Sequence, residues 1–404
     1  MNRRIVITGI GVISSIGIGK DEFWTSLLEG RSGISEITSF DTSTLPVHYG
    51  GEVRQFRPDD FLTRSQINSM GRASQMAVSA AQLAIKDSGI NLDKVILEKA
   101  GVIVGTTMGE SQVLAKLDKA WVEKGEEFID SGLILQYPSD NISNQVAKSV
   151  NFKGDNLLIP TACASGNYAI GYAVDLLRAG RTDLMLAGGA DPFSQSAFIG
   201  FNRLSAMSSK KCAPFDKNRE GMILGEGAAI VVLEALDTAQ KRGANIYAEV
   251  LGYGLSCDAY YITAPQFGGI ISAILLALRD ADIKTGEVDY ISAHGTGTVA
   301  NDKTECMALK KIFGEHLKNI PVSSIKSMLG HCMGAASALE AIACALAVSH
   351  DCIPPTINYE TIDPECEIDC VPNKFRKHRV DVALNNAFAF GGNNACLVLR
   401  KFNA

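Results

Sequence analysis

The sequence predicts an α/β fold in which strands and helices form layers. Apolar runs of strand length alternate with helical patterns along the 404 residues, an alternation typical of α/β proteins. The composition, 46% apolar and 20% charged residues, is that of a compact folded chain. Similar strand–turn–helix units in the two halves add an internal duplication to this prediction.

The predicted strands are short apolar runs, and the predicted helices carry apolar residues at helical spacing. We therefore expect strands and helices to alternate through both halves of the chain. The strands cover 4–8, 100–104, 157–160, 184–187, 228–234, 248–252, 290–293, 321–324 and 396–399. The helices cover 71–87, 165–178, 269–281, 303–313 and 335–349.

The duplication is suggested by two units that follow one plan. In the first, residues 161–163 connect a strand to helix 165–178; in the second, residues 324–326 follow a strand that precedes helix 335–349. Both helices are built from small apolar residues, so we expect them to pack together in the core. A chance match between two such units is the competing interpretation.

Charge and cysteine spacing exclude several functions. The net charge of −6 argues against binding to nucleic acid or an anionic membrane, because neither polyanion would gain from counterion release. No run approaches the roughly 18 to 20 apolar residues of a membrane span. The ten cysteines include no Cys-x-x-Cys pair, so zinc-site spacing is absent. We expect a cytoplasmic protein with reduced thiols and no metal.

The first candidate site is the turn Pro-Thr-Ala-Cys-Ala-Ser-Gly at 160–166. A sharp turn between a strand and a helix exposes one side chain, here Cys163. The start of the helix supplies partial positive charge and free N–H groups, which we expect to lower the thiol pKa and to stabilise an oxyanion. Cys163 is thus a candidate nucleophile, against the alternative that it is one more buried cysteine.

The second candidate site is the loop Ser-Ala-His-Gly-Thr-Gly-Thr at 292–298. A histidine in a loop so rich in Gly and Thr is available for hydrogen bonding to a substrate oxygen or for proton transfer. Thr296 and Thr298 alternate, so they can line one side of a channel. His294 is therefore a functional candidate, and a purely structural histidine is the weaker interpretation.

The third candidate site, 323–335, places Lys326 five residues before His331 and ahead of the small-residue helix. A nearby lysine disfavours the imidazolium form, which keeps the histidine ring neutral. Glu305 is a candidate carboxylate partner for Lys326. A solvated surface lysine is the alternative interpretation for Lys326.

A fourth segment, Asn-Asn-Ala-Phe-Ala-Phe-Gly-Gly-Asn-Asn at 385–394, is a glycine turn beside an apolar strand. Such a turn can place a backbone N–H and the aromatic ring of Phe390 over a pocket.

Together and in this order, the four segments resemble those of the β-ketoacyl-acyl-carrier-protein synthases of the elongating type. The resemblance runs from 4–12 to 389–394 and includes 214–219 and 225–228. It implies a thiolase-like duplicated five-layer αβαβα fold, with one half at 1–247 and the other at 248–404. It also implies a homodimer, with a heterodimer left open.

The resemblance implies a decarboxylative Claisen condensation. An acyl chain bound to a cysteine would react with malonyl-carrier protein and give a β-ketoacyl-carrier protein longer by two carbons. The reaction implies no metal and no redox cofactor, because phosphopantetheine arrives on the carrier. Acyl- and malonyl-thioesters and an acyl carrier protein are the implied partners, and the carrier is either the general one or one dedicated to the pathway.

Site roles carry over by matching position. Cys163 would accept the acyl chain, and its N–H with that of Phe390 would form the oxyanion hole. His294 and His331 match the pair that binds the malonyl thioester carbonyl and promotes loss of CO2. Lys326 would tune that pair.

Other matched positions have supporting roles. Glu305 would help to hold the histidine pair. Thr296 and Thr298 match threonines that bind the phosphopantetheine arm, and Phe390 matches a gating aromatic residue. Met108 lies in the segment that matches the floor of the acyl pocket.

Several positions depart from the family pattern. Ala389 and Asn393 replace a glycine and a threonine of the gating turn, and we expect the alanine to restrict its movement. Tyr261 stands where many relatives have histidine. In the segment 62–69, where relatives often carry several basic residues for an acidic carrier, only Arg64 is basic.

The thin basic segment leaves carrier docking to other side chains. Arg203, Lys210 and Lys211 are candidates to compensate for it. The departures favour a specialised lipid or polyketide pathway over general fatty-acid synthesis. A non-catalytic, chain-length-determining partner of a heterodimer is a third hypothesis, disfavoured because Cys163 is present. A hydrolase is weaker still, because the sequence has no Gly-x-Ser-x-Gly.

Overall fold

The computed structural model describes residues 3–403, which form fifteen β-strands and thirteen α-helices. The outer limits of the two predicted halves, at 1 and 404, lie outside the described residues. The strands are β1 (Ile5–Ser14), β2 (Gly17–Ile18), β3 (Ser35–Glu36), β4 (Tyr49–Gly50), β5 (Ala100–Gly105), β6 (Asn156–Ile159), β7 (Leu184–Asp191), β8 (Gly227–Ala235), β9 (Ala248–Cys257), β10 (Tyr290–Ser292), β11 (Val322–Ser323), β12 (Cys352–Ile353), β13 (Arg376–Lys377), β14 (Val382–Phe388) and β15 (Asn393–Arg400). The helices are α1 (Lys20–Glu29), α2 (Arg64–Ser69), α3 (Arg72–Ser88), α4 (Ser111–Lys124), α5 (Ser131–Ile134), α6 (Asn141–Val150), α7 (Ser165–Arg178), α8 (Gln195–Arg203), α9 (Leu236–Lys241), α10 (Phe267–Asp280), α11 (Val299–Phe313), α12 (Lys326–Leu329) and α13 (Ala336–His350).

All the predicted strands and helices are present, and several strands are longer than predicted. Strand β14 was not predicted as a strand, because Asn385 and Asn386 interrupt its apolar run. Both asparagines are buried, and Asn385 Nδ2 donates to Asn167 Oδ1 and to the Ser337 carbonyl oxygen, each at 2.8 Å. These tertiary hydrogen bonds satisfy the amide NH2 group of Asn385, a side chain that the sequence pattern alone places outside a core.

The strand order of the first half repeats in the second. In the sheet the order is β1-β8-β7-β5-β6 in one half and β9-β15-β14-β10-β11 in the other. In each set the first two pairings are antiparallel and the last two are parallel. A short antiparallel pairing of β1 with β9 joins the two sets. The predicted duplication is therefore present, and the exact boundary at 247/248 stays a prediction.

Helices cover both faces of each half and produce five layers. Helices α3 and α6 pack on the outer face of the first half, and α10 and α11 pack on the outer face of the second. Helices α7 and α13 lie between the two halves, in the largest apolar cluster. The layers follow the order αβαβα, as the resemblance implies.

The central crossing of α7 and α13 requires a residue without a side chain. A Cβ added at Gly166 of α7 would lie 2.6 Å from the backbone nitrogen of Ala338 in α13. The next residue, Asn167, donates its N–H to Ser337 Oγ at 3.0 Å across the same contact. Helix α7 begins at the end of the first candidate site, and α13 begins at the end of the third. The contact between the two helices therefore sets the distance between these two sites.

One segment, Met333–His350, is long and apolar enough to cross a membrane by length and composition. Of that window, 89% is buried inside the protein, where it forms the start and body of α13. This burial is that of a core helix.

We expect Gly166→Ala to destabilise the fold by roughly 1 to 3 kcal/mol, the usual cost of overpacking a core. Gly268→Ala in α10 is the matched control, because a Cβ there meets no heavy atom within 4 Å. The control is expected to leave stability unchanged or to raise it by up to about 1 kcal/mol. Guanidinium unfolding measures both, and equal midpoints would contradict the close crossing.

Candidate active site

Cys163 lies in a tight 3-10 turn, Ala162–Ala164, between β6 and α7. Ala162 adopts a positive φ of 51°, which turns the chain sharply from strand to helix. The thiol is buried at 6% exposure, yet it lines two cavities. The turn thus presents one sulfur to an internal space.

Burial raises the pKa of the Cys163 thiol to about 11. The positive charge of Lys326 and the N–H groups of Phe390 and Cys163 act in the opposite direction, and they are outweighed. The expectation that the helix start lowers this pKa is wrong, because desolvation in an apolar site exceeds the effect of a helix end. The same two N–H groups act on the sulfur, where they can also stabilise an oxyanion.

The two histidines meet beside this sulfur. His294 follows β10, and His331 follows α12; both are buried. Their ring centroids are 5.5 Å apart and the planes are nearly perpendicular at 83°. Residues 130 positions or more from Cys163 in sequence therefore join it at one cavity.

Hydrogen bonds fix which ring nitrogen carries the proton. The Met333 N–H donates to His331 Nδ1 at 3.0 Å, so the proton of a neutral His331 ring lies on Nε2. Lys326 Nζ, a donor, lies 3.5 Å from His294 Nδ1 and favours the same tautomer there. Burial, and then the charge of Lys326, hold the pKa of both rings well below 6.5. Both rings are therefore neutral hydrogen-bond donors at neutral pH, as expected from the sequence for His331.

Lys326 is fully buried, which excludes the surface-lysine interpretation. Its ammonium group donates to the His294 carbonyl oxygen at 2.7 Å and pairs with the Glu340 carboxylate. The prediction that Glu305 is the partner is wrong, because Glu305 faces the backbone of the histidine loop. Glu340 is the only carboxylate of α13, and an acid inside an otherwise apolar helix is a signal for a buried cation.

Glu305 holds the loop that carries His294. Its two oxygens accept the N–H groups of His294 and Gly295, each at 2.9 Å. Burial raises the pKa of Glu305 to about 7, against these two hydrogen bonds. This carboxyl thus supports the histidine through its backbone.

The entrance cavity measures about 330 Å³ and opens to solvent. Thr296 and Thr298 lie on its wall, with their hydroxyl oxygens 2.9 Å apart. A hydrogen-bonding wall of this kind suits a polar, extended arm that reaches inward to the sulfur.

A second cavity of about 210 Å³ starts at Cys163 and is lined mostly by apolar side chains. Met108 and Met333 lie on its walls. Phe390 borders both cavities, and its ring centroid is 5.4 Å from that of Phe201. This ring therefore separates the polar entrance from the apolar cavity.

The turn that carries Phe390 takes its sharp bend from glycines. Gly391 and Gly392 have φ of 83° and 79°, whereas Ala389 is extended with φ −101° and ψ 154°. Alanine adopts that conformation without strain. Asn393 is also extended, at φ −77° and ψ 109°, so neither substitution strains the turn in this conformation.

The predicted docking side chains are exposed, and two of them form ion pairs. Arg64 pairs with Asp59 at 3.0 Å, and Lys211 pairs with Glu360. Arg203 ends α8 directly before Leu204, which lines both cavities. Lys210 precedes Lys211 and is exposed as well. Of these four residues, Arg203 is therefore the one whose neighbour in the sequence lines the cavities.

Two further features concern the position of Tyr261 and the arrangement of metal-binding side chains. Tyr261 is exposed and lies next to Ile262, on the rim of the entrance cavity. Among residues 3–403, no group of three or more His, Cys, Asp and Glu side chains is arranged to hold a metal ion.

We expect Lys326→Met to raise the pKa of both His294 and His331, because it removes the positive charge that lowers them. Glu340, whose pKa burial already raises to about 7, would become protonated and would not replace that charge. The measurement is a pH titration of the histidine ring resonances by NMR. Lys318→Met, at an exposed ion pair with Glu315, is the control. Unchanged histidine titration would refute the electrostatic role of Lys326.

Two family models match the chain in succession. The first describes the beta-ketoacyl synthase N-terminal domain and matches residues 2–239. The second describes the beta-ketoacyl synthase C-terminal domain and matches residues 247–360. Together they span more than half of the sequence.

Individual relatives match over nearly their whole length. The chain is 41% identical to 3-oxoacyl-acyl-carrier-protein synthase 2 of Synechocystis sp., over 99% of this chain and 98% of that protein. It is 40% identical to nodulation protein E of Rhizobium sp., over 99% of this chain and 100% of that protein.

Solved structures agree in fold. The ishigamide ketosynthase/chain length factor matches with a TM-score of 0.97 and 45% identity, over 100% of both chains. A type II PKS ketosynthase, in complex with its acyl-carrier protein and bound to a hexaketide, matches with a TM-score of 0.93 and 31% identity, over 100% of both chains. The repeated strand order, the Cys–His–His arrangement and these matches agree: the chain belongs to the beta-ketoacyl synthase family.

Proposed function

We propose that this protein condenses a cysteine-bound acyl chain with a malonyl group carried as a thioester, with loss of CO2. The observation that carries this proposal is the meeting of Cys163, His294 and His331 at one cavity, from which an apolar cavity leads away. One space can admit a thioester arm while the other stores an acyl chain. The protein is thus an acyltransferase that forms carbon–carbon bonds.

The first step is transfer of the acyl chain to the enzyme. The sulfur of Cys163 attacks the thioester carbonyl, and the tetrahedral oxyanion is stabilised by the N–H groups of Cys163 and Phe390. The new carbon–sulfur bond replaces the old one, and the departing pantetheine thiol takes up the proton of Cys163. The acyl tail enters the apolar cavity beside Met108.

The second step is decarboxylation of the malonyl thioester. Neutral His294 and His331 donate their Nε2–H groups to the thioester oxygen, where charge develops as CO2 leaves and an enolate forms. The enolate carbon attacks the acyl carbonyl on Cys163, and the sulfur departs as the leaving group. Lys326 supports this step by keeping both rings neutral and by holding the His294 carbonyl.

The carrier is proposed to be an acyl carrier protein, either a general one or one dedicated to a specialised pathway. Support comes from the relatives named for acyl-carrier-protein substrates and from the ketosynthase solved with its carrier. The phosphopantetheine arm would pass Thr296 and Thr298. Because this arm arrives on the carrier, the proposed reaction needs no metal or redox cofactor of its own. A protein of fatty-acid or polyketide synthesis with these partners would act in the cytoplasm.

We further propose that the protein acts as a dimer. Strand β6 lies at the edge of the sheet and pairs only with β5 among the described strands, and its Leu157 is exposed. An unpaired apolar edge of this kind is suited to a second copy. A heterodimer would use the same edge. The full set of Cys163, Lys326 and two histidines favours a catalytic subunit over a non-catalytic, chain-length-determining one.

Incubation with acyl-pantetheine thioesters is expected to add one acyl group to the protein, at Cys163. Intact-protein mass spectrometry should show the gain in the wild type and in Cys257→Ala, which removes an exposed cysteine. The gain should vanish in Cys163→Ala. Its persistence in Cys163→Ala would refute the assigned nucleophile, and its absence from the wild type would refute the proposed first step.

Charge reversal beside the mouth is expected to weaken carrier docking and to spare the chemistry. Arg203→Glu should slow acylation from an acyl carrier protein by roughly fivefold, because rim charges act mainly on association. Acylation from acyl-pantetheine should not change. Lys241→Glu, an exposed position on α9, serves as the control. Equal carrier rates in the two variants would exclude Arg203 from the docking surface.

A further inference from the structure

Asp191 is a fully buried carboxylate at the end of β7, close to Cys163 but outside the set of residues that the reaction uses. Its charge acts on the Cys163 thiol, whose pKa it helps to raise. Burial raises the pKa of Asp191 itself to about 6. A buried acid at such a place requires compensation by hydrogen bonds.

Four donors from two different segments surround this carboxylate. Oδ1 accepts the Thr106 hydroxyl at 2.8 Å and the Met108 N–H at 2.7 Å. Oδ2 accepts the Thr107 N–H at 2.8 Å and the Gly334 N–H at 2.6 Å. Both oxygens are therefore saturated, and one side chain joins the turn after β5 to the turn before α13.

The two joined turns lie side by side in the wall of the apolar cavity, since a Cβ added at Gly334 would lie 2.6 Å from the backbone carbonyl carbon of Thr106. Thr107, Met108 and Met333 all line this cavity. Met333 has a positive φ of 53°, and its N–H is the group that fixes the His331 tautomer. The residue after it, Gly334, is the one that Asp191 holds. The shape of this wall of the apolar cavity and the placement of His331 therefore depend on the same carboxylate.

The internal duplication explains why an acid belongs here. The turn at Met333–Ala335 repeats the turn at Ala162–Ala164, and its first residue has the same left-handed backbone, φ 53° against 51°. In the first turn the central N–H, that of Cys163, faces the reacting centre. In the second turn the central N–H, that of Gly334, is occupied by Asp191. The Asp191 carboxylate thus accepts the Gly334 N–H in the second half of the chain, whereas a substrate oxygen would accept the equivalent Cys163 N–H in the first half.

We propose that Asp191 is a positioning residue that sets the shape of the acyl-cavity wall and the place of His331 together, by clamping the 106–108 turn to the 333–334 turn. The inference rests on the proposed function, since it assigns a role within that reaction. It makes Asp191 a determinant of which acyl chains the enzyme accepts.

The test is Asp191→Asn, which keeps the shape of the side chain but replaces one acceptor oxygen with an NH2 group. That NH2 group would face the hydrogen-bond donors of one of the two turns. Decarboxylation of malonyl-pantetheine is expected to fall on the order of ten- to a hundredfold, the scale of a displaced reacting group. The second readout is alkylation of Cys163 by iodoacetamides with butyl or dodecyl tails, followed by peptide mass spectrometry. The ratio of the two rates is expected to change severalfold, because the two turns that form this part of the cavity wall are no longer held together.

Asp289→Asn is the matched control. Asp289 also accepts two backbone N–H groups, those of Asp381 and Val382, each at 2.9 Å, but it lies at the opposite end of the strands. It should change neither readout. If Asp191→Asn does not fold, Thr106→Val removes one of the four donors and should shift both readouts in the same direction, whereas Thr106→Ser should not.

Two results would overturn the inference: both readouts within twofold of the wild type, or a change in only one of them. Failure of the proposed function gives a different pattern. In that case the wild type neither forms an acyl-enzyme nor decarboxylates malonyl-pantetheine, while the ratio of alkylation rates, which needs no thioester chemistry, still reports whether Asp191 shapes the cavity.

Discussion

The active site depends on one buried cation. Lys326 is held by Glu340 and by the His294 carbonyl, so a single ammonium group ties the core helix α13 to the histidine loop. Its charge also keeps both imidazoles neutral, which is the state in which they can donate to a developing oxyanion. Removing Glu340 would leave the buried ammonium group without its counter-charge, at a cost of roughly 3 to 5 kcal/mol. Stability and chemistry are therefore constrained by the same interaction.

The sequence identified the candidate reacting groups better than the groups that hold them. Cys163 lies in a strand–helix turn, and His294 lies in a loop of Gly and Thr. Both patterns can be recognised from adjacent residues alone. The partner of Lys326 is Glu340, fourteen positions further along the chain and on a different helix. The pKa of Cys163 was also mispredicted, because a sequence shows that a helix begins but does not show how little water reaches the sulfur. Packing, which decides desolvation, was the missing information.

Much of the fold was predictable because its strands are buried apolar runs. The repeated order of five strands explains why two strand–turn–helix units look alike, since each feeds one of the two central helices. Strand β14, which was not predicted, carries Asn385 and Asn386 in its centre, and these make tertiary hydrogen bonds. The two halves share a backbone plan and differ in the side chains at their turns. Only one of the turns carries a thiol, so a symmetric scaffold has a single reacting centre.

The position of Phe390 between the two cavities has a consequence for small-molecule inhibitors. A compound that fills only the entrance cavity would compete with the proposed pantetheine arm and leave the ring in contact with Phe201. A compound with an apolar tail can also occupy the second cavity, on the other side of the ring. Compounds of the second kind bury more apolar area, so we expect them to dissociate more slowly. Selectivity between related enzymes is then expected to follow from the residues that line the apolar cavity.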